Sequence, residues 1–247
     1  MVSVITDPFG VGHMGVTAEN VAKKYGITRE MQDECAYTSQ TRAAAAIKAG
    51  HFKSQIVDIT LKTRKGEVVF NVDENPKEVT MEKLAKMKPA FIKDGTVTAG
   101  NASSLNDGAA FFVLASADAA KAAGQKPIAR LVSYAVAGVP HEIMGIGPVP
   151  AVQLALKKAG LTLDQIDVIE ANEAFAAQAV AVANELGFDP AKTNPNGGAI
   201  ALGHPVGCTG AFVATKAIYE MNRIGGKYCL ATMCIGGGMG CATIVEM

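Results

Sequence analysis

"DVIEANEAFAAQAVAVANELG", residues 167–187, changes pattern halfway along. "DVIEAN" is short and apolar between polar ends, which reads as a buried strand. "EAFAAQAVAVANELG" is apolar almost all round and ends on Gly187, which reads as a helix covered on several sides. The same alternation surrounds it. "IARLVSYAVAG" (128–138) reads as a strand and "PAVQLALKKAG" (150–160) as a helix with Gly160 at its end. "CTGAFVATKAIYEMNRIGG" (208–226) is a second buried-type helix, and "YCLATMCIG" and "CATIVEM" are closing strands around "GGMG". Strands alternating with helices indicate an α/β layered domain.

Upstream the pattern is smaller and more polar. Thr17 is placed to cap a short helix over "AENVAKK", and Thr28 a longer one from Arg29 to Gly50. "IVDITL" (56–61) and "EVVFNV" (67–72) read as strands around the turn "KTRKG"; "MEKLAKM" (81–87) reads as a short helix. "AAFFVLAS" (109–116) is expected to be a strand and "ADAAKAAG" a helix ending at Gly124. A buried strand needs neighbours to pair its backbone groups. This strand has too few companions, so the sequence reads like the latter part of a larger layered fold.

Composition sets outer bounds. The chain has 247 residues, enough for one large or two ordinary domains, with 49% apolar residues and zero formal charge. Neutrality argues against a nucleic acid or an anionic membrane surface as partner. No apolar run reaches membrane-spanning length, and no leader pattern opens the chain. Five cysteines without zinc or CxxC spacing suit a reduced, cytoplasmic setting.

Chemistry-bearing residues gather at the junctions between elements. "NPNGGAIALGHPVGCTGAF" (194–212) sets His204 in a nearly side-chain-free loop ahead of a helix start. Glycines there allow close backbone approach, and the helix start offers free N–H groups. The loop serves either an acid/base imidazole or a tight turn with a surface histidine. In "CIGGGMG" (234–240), Cys234 ends a strand before three glycines whose N–H groups can line an anion hole. A buried cysteine before a glycine hairpin is the plainer reading. In "EANEAFAAQ" (170–178), Asn172 either caps the helix, the simpler choice, or orients a water or a carbonyl. "GNASSLNDGAA" (100–110) either wraps a ligand chain or forms a turn. His13 stands ahead of a capped helix. His51 and His141 read as surface residues, and Cys35, Cys208, Cys229 and Cys241 as packing. Ligands favour such strand ends in α/β folds, and Cys, His and Asn together suit acyl-thioester chemistry.

"HMGVTAENVA", "GTVTAGNASSLNDGAA", "MGIGPVPA", "EANEAFAAQ", "NGGAIALGHPVGCTGA" and "CIGGGMG" together resemble the thiolases, of the biosynthetic acetyl-CoA C-acetyltransferase type. The match runs in order from about Thr6 to the end of the chain. It implies two layered α/β halves packed face to face, with a loop domain inserted in the first. Residues 1–104 resemble the loop domain, 105–125 the last strand and helix of the first half, and 126–247 a complete second half. The N-terminal half is then largely missing, and with it the family's nucleophilic cysteine.

By resemblance, His204 is the base that activates that nucleophile and, with a water held by Asn172, forms the first oxyanion site. Cys234 exchanges the α-proton of acetyl-CoA, and the Gly236 N–H contributes to the second oxyanion site. Ser103, His13, Met144 and Phe175 contact the pantetheine arm. Lys77 stands where the family often has an arginine near the nucleotide. The resemblance implies coenzyme A thioesters as substrates, no further cofactor, no metal and no membrane. It also implies a homo-oligomer, or a partner chain supplying the missing half. The chain alone is expected to be inactive, and to expose a large apolar face. The alternatives are a non-catalytic CoA-binding remnant and a related condensing enzyme such as a ketoacyl synthase; "CIGGGMG" with "NEAF" favours a thiolase.

Overall fold

The computed structural model describes residues 4–247. Its centre is a four-stranded mixed sheet built from β3 (Arg130–Gly138), β4 (Val168–Ala171), β5 (Tyr228–Ile235) and β6 (Met239–Glu246), in the order β3-β6-β5-β4. β3, β6 and β5 are antiparallel in turn, while β4 runs parallel to β5, with Ala171 opposite Thr232. Parallel pairing carries the chain out of β4 at the same end as β5.

Helices cover both faces, as the layered pattern requires. On one side α5 (Pro148–Ala159) and α6 (Ala176–Leu186) bury Ala151, Val152, Ala177 and Ala181 against Ile169, Leu230 and Ile244. Pro148 starts α5 in the first turn, where a missing N–H is harmless, and Gly160 and Gly187 end the two helices with left-handed φ. On the other side α8 (Thr209–Ile224) seats Ala217, Ile218 and Met221 on Val168, Cys229 and Val245.

The first hundred residues lean on this core. Helix α1 (Met14–Tyr25) packs on α6, and α2 (Arg29–Ala49) packs on α6, α3 (Met81–Ala85) and α7 (Ala199–Leu202). Thr28 caps α2 by accepting from the Met31 N–H, and Gly50 ends it at φ 75°. β1 (Ile59–Thr63) and β2 (Gly66–Phe70) form an exposed antiparallel hairpin, displaced by a few residues from the expected strands because the turn tightens onto Arg64 and Lys65. The carboxylate of Glu19 accepts from the Thr96 and Val97 N–H groups, fastening α1 to the segment before Ser103.

Three expectations fail here. Helix α1 starts at Met14 rather than after Thr17: His13 caps it, its Nδ1 accepting from the Gly15 N–H at 3.0 Å. Thr17 lies inside the helix, where its hydroxyl donates to the Met14 carbonyl. Residues 109–116 form no strand; Phe111, Val113 and Leu114 are 90%, 98% and 84% exposed. Among the described residues no strand lies beside them, and apolar side chains alone do not hold an extended ribbon without backbone partners. Helix α4 (Ala117–Ala122) follows them, capped by the Ser116 hydroxyl. Finally, His51 and His141 are half-buried and bonded rather than free on the surface. His51 meets Asn196 at 2.9 Å and His141 meets Asp7 at 3.1 Å.

Candidate active site

Asn172 follows directly on β4, and its N–H donates to Thr232 on β5. It therefore leaves the sheet at the strand ends instead of capping α6, whose cap position is Phe175. Its register is fixed from the outer side: Asn194, at φ 44°, accepts from the Ala171 N–H and donates to the Ala171 carbonyl, both at 2.9 Å.

His204 approaches Asn172 from the opposite direction. Gly203, at φ 99°, ends α7; a side chain there would lie 2.4 Å from Asn106 Oδ1. That closeness lets the same oxygen accept from the His204 N–H at 3.1 Å. The Ser104 hydroxyl in turn shares its proton between two acceptors, Asn75 Oδ1 at 2.8 Å and Asn106 Oδ1 at 2.9 Å. The His204 ring is fixed at both nitrogens. Nδ1 lies 2.7 Å from Thr209 Oγ1, and Nε2 lies 3.4 Å from Asn172 Nδ2.

The tautomer is assigned from these contacts, the proton positions being inferred from the hydrogen-bond network. Thr209 donates its one hydroxyl proton to the Pro205 carbonyl at 3.0 Å, so toward His204 it accepts. Nδ1 then carries the ring proton, and Nε2 offers a lone pair that the Asn172 amide donates to. Burial holds the His204 pKa below its ordinary value, which keeps the ring neutral. A neutral imidazole whose Nε2 lone pair is held only by a long 3.4 Å contact is a ready base.

Cys234 sits one residue from the end of β5, buried with Met14, Met144 and Ala174 and touching Phe175. Burial pushes its thiol up to about 12. The following turn needs glycine: Gly237 and Gly238 adopt φ 89° and 91°. A side chain on Gly236 would come 3.0 Å from the Met14 methyl, so Gly236 belongs to the same cluster.

An apolar wall continues outward. Phe175 meets Phe91 edge-on at 5.8 Å, and Phe91 stacks on His13 at 4.7 Å. Ser103 pairs by N–H and by hydroxyl with the Ala174 carbonyl, next to Phe175. Thus His13, Ser103, Met144, Phe175, Cys234 and Gly236 form one contiguous group, and Asn172 with His204 stands at the strand end beside it. Lys77 stands apart from this group: its N–H donates to Gln40, and the residue is exposed.

Sequence reasoning missed Thr209, Asn106, Ser104 and Phe91. Thr209 follows His204 by five residues and opens α8, with the turn 205–208 between them, so no helical spacing marked the pair. Asn106 and Ser104 looked like turn residues. Among the described residues no cluster of His, Cys, Asp or Glu is arranged to hold a metal ion, and no helix is long and apolar enough to cross a membrane.

Comparison with known proteins gives a consistent picture. Residues 1–118 match the thiolase N-terminal domain, and residues 125–247 match the thiolase C-terminal domain. The beta-ketothiolase BktB of Cupriavidus necator is 58% identical over 248 aligned residues, covering 100% of this chain and 63% of that protein. The crystal structure of Bacillus anthracis acetyl-CoA acetyltransferase superimposes with a TM-score of 0.96 at 52% identity, covering 99% of this chain and 62% of that one. Human mitochondrial 3-ketoacyl-CoA thiolase, solved in complex with CoA, superimposes at 0.90 with 45% identity, covering 98% of this chain and 60% of that one. The chain therefore spans a little over three fifths of the length of these relatives.

Proposed function

The chain belongs to the thiolase family, and on that premise we propose that it carries the base, the amide and the second thiol of an acetyl-CoA C-acetyltransferase. The observation that supports this most is the setting of His204: Nδ1 against the Thr209 hydroxyl at 2.7 Å and Nε2 facing the Asn172 amide at 3.4 Å, which we assign as a ring with its proton on Nδ1. The fold class and the names of the relatives agree with it.

In this reading acetoacetyl-CoA lies along the wall of Phe175, Met144, Ser103 and His13. His204 Nε2 takes the proton of a nucleophilic cysteine, whose sulfur attacks the ketone carbonyl. The charge on that oxygen is met by donors at the Asn172 side, the general device for stabilising such intermediates. The carbon–carbon bond then breaks, leaving an acetyl group on the sulfur and an enolate of acetyl-CoA. Cys234 protonates the enolate carbon. A thiol pushed up to about 12 rests in its protonated form, which suits this donor step. The CoA thiol gives its proton to the Cys234 thiolate and takes the acetyl group, the freed cysteine sulfur recovers its proton from His204, and the reverse sequence condenses two acetyl-CoA molecules.

The nucleophile remains to be assigned. Both His204 ring nitrogens are engaged by Thr209 and Asn172, and among the described residues none of the five cysteines is hydrogen-bonded to them. We assign the nucleophile to chain outside these 247 residues, so the chain assayed alone gives no thiolysis. The test supplies it. The chain is mixed or fused with the preceding segment of a relative, and loss of acetoacetyl-CoA is followed. Turnover in that assembly, abolished by His204→Ala, supports the reading. Turnover indifferent to His204→Ala sinks it and leaves CoA binding alone; turnover by the chain alone refutes the assignment of the nucleophile.

A further inference from the structure

β4 and α8 meet as a ladder. On β4 every second residue faces α8. Val168 packs with Ala217 and Met221, Glu170 pairs with Lys216, and Asn172 reaches His204, which Thr209 holds from the first turn of α8. The layer directly beneath the Asn172–His204 pair is thus an ion pair. Its side chains are 3% and 1% exposed. Lys216 Nζ lies 2.7 Å from Glu170 Oε2 and 2.5 Å from the Gly197 carbonyl oxygen.

An apolar pair of similar size would stabilise such a layer as well or better, since two charges must be taken out of water. The pair here is not even fully satisfied: Glu170 Oε1 is buried with no partner among the described residues. The ammonium does one thing that an apolar side chain cannot, which is to hold the Gly197 carbonyl. Gly197 adopts φ 80°, and a side chain on it would lie 2.6 Å from the Ser39 carbonyl oxygen. The loop is therefore bare, close-packed backbone that leads through α7 to His204. The Glu173 carboxylate grips the next stretch, accepting from Ser39, Asn194 and the Ile200 N–H.

We propose that Lys216, seated on Glu170, is a positioning residue for the His204–Asn172 pair. Its ammonium ties the loop 194–198 to β4 and so sets the span across which imidazole and amide meet. Only the consequence for rate rests on the thiolase reading; the tie itself is a matter of geometry.

The test compares Lys216→Met with Lys216→Met/Glu170→Gln in the 247-residue chain, by amide hydrogen exchange and by nuclear magnetic resonance of the His204 ring. The double variant removes the buried charges and still lacks the tie. In both variants the amides of Ala201, Leu202 and Gly203, which close α7, should exchange about tenfold faster or more relative to the β5–β6 amides. The His204 titration midpoint should rise toward its ordinary value as the ring loosens. The double variant should recover thermal stability without recovering α7 protection. If protection and the His204 midpoint return together with stability, Lys216 is only a packing residue and the proposal is overturned. In an active assembly, Lys216→Met should lower kcat with KM unchanged. Absence of turnover in the unsubstituted assembly would count against the thiolase reading and leave the exchange result standing.

Discussion

Replacing Thr209 by valine keeps the shape of a fully buried side chain and removes one acceptor. In the native site His204 Nδ1 donates to that hydroxyl at 2.7 Å. Without it the buried Nδ1–H has no partner, a penalty of about 1–3 kcal/mol. The ring has an escape. If the proton moves to Nε2 and the Asn172 amide turns over, Nε2–H donates to Asn172 Oδ1. That oxygen is buried and without a partner among the described residues in the native arrangement. About 2 kcal/mol shifts the tautomer ratio roughly thirtyfold, enough to invert it. Global stability should fall by only about 1 kcal/mol, because the escape recovers a hydrogen bond. Thiolysis in a complemented assembly should fall by about 10²–10⁴, the usual worth of a general base, because Nε2 no longer has a lone pair to offer. Nitrogen resonance of the ring reads the tautomer directly, and Thr209→Ser, which keeps a hydroxyl, should retain the native one. A Thr209→Val chain that still carries its proton on Nδ1, or a native chain with Nδ1 bare, would refute the reasoning.

The acid limb of kcat/KM should fall below the ordinary histidine value, because burial lowers the His204 pKa and the base stays neutral to lower pH; a limb above it contradicts the burial argument. The same depression makes His204 a source of stability that is present at neutral pH and lost as pH falls below the unfolded-state value, measurable by denaturation against pH in a His204→Gln comparison. Cys234, with its thiol pushed up to about 12, should resist alkylation at pH 8, where roughly one in 10⁴ molecules carries the thiolate; mass mapping after iodoacetamide treatment checks this. Gly240→Ala should destabilise the chain by about 3 kcal/mol or more in urea melts, because the added carbon would lie 2.0 Å from the Gly147 carbonyl carbon and backbone cannot step aside.

The layered core was legible because helices α5, α6 and α8 end on left-handed glycines and the strands between them are mostly apolar. Those are local signals, and local signals survive in a single sequence. The segment 109–116 has the composition of a strand, but strand formation is a property of pairs, and no partner lies beside it in the described chain. His13 was read as a ligand contact and Thr17 as the cap; the choice turned on where the backbone leaves the Asp7 loop, which composition does not encode. Asn172, His204 and Cys234 stood out by residue type and neighbourhood. Asn106 and Lys216 did not, because each acts across the fold on a group far from it in sequence, and Thr209 did not, because the turn between it and His204 carries no helical spacing. A lysine in the middle of an apolar helix was the one visible irregularity among them.

The side chain of Asn194 has an effect beyond the site. Lys192 and Asn194 use their backbone on Ile169, and the Asn194 amide then imitates a further peptide unit opposite Ala171. The outer margin of β4 is thereby sealed for its whole working length, with no strip of free amides left as a template. Edge-to-edge recruitment of another ribbon is blocked on that flank. Any growth of this sheet, whether orderly assembly or misfolded aggregation, has a direction: it must proceed from the β3 flank.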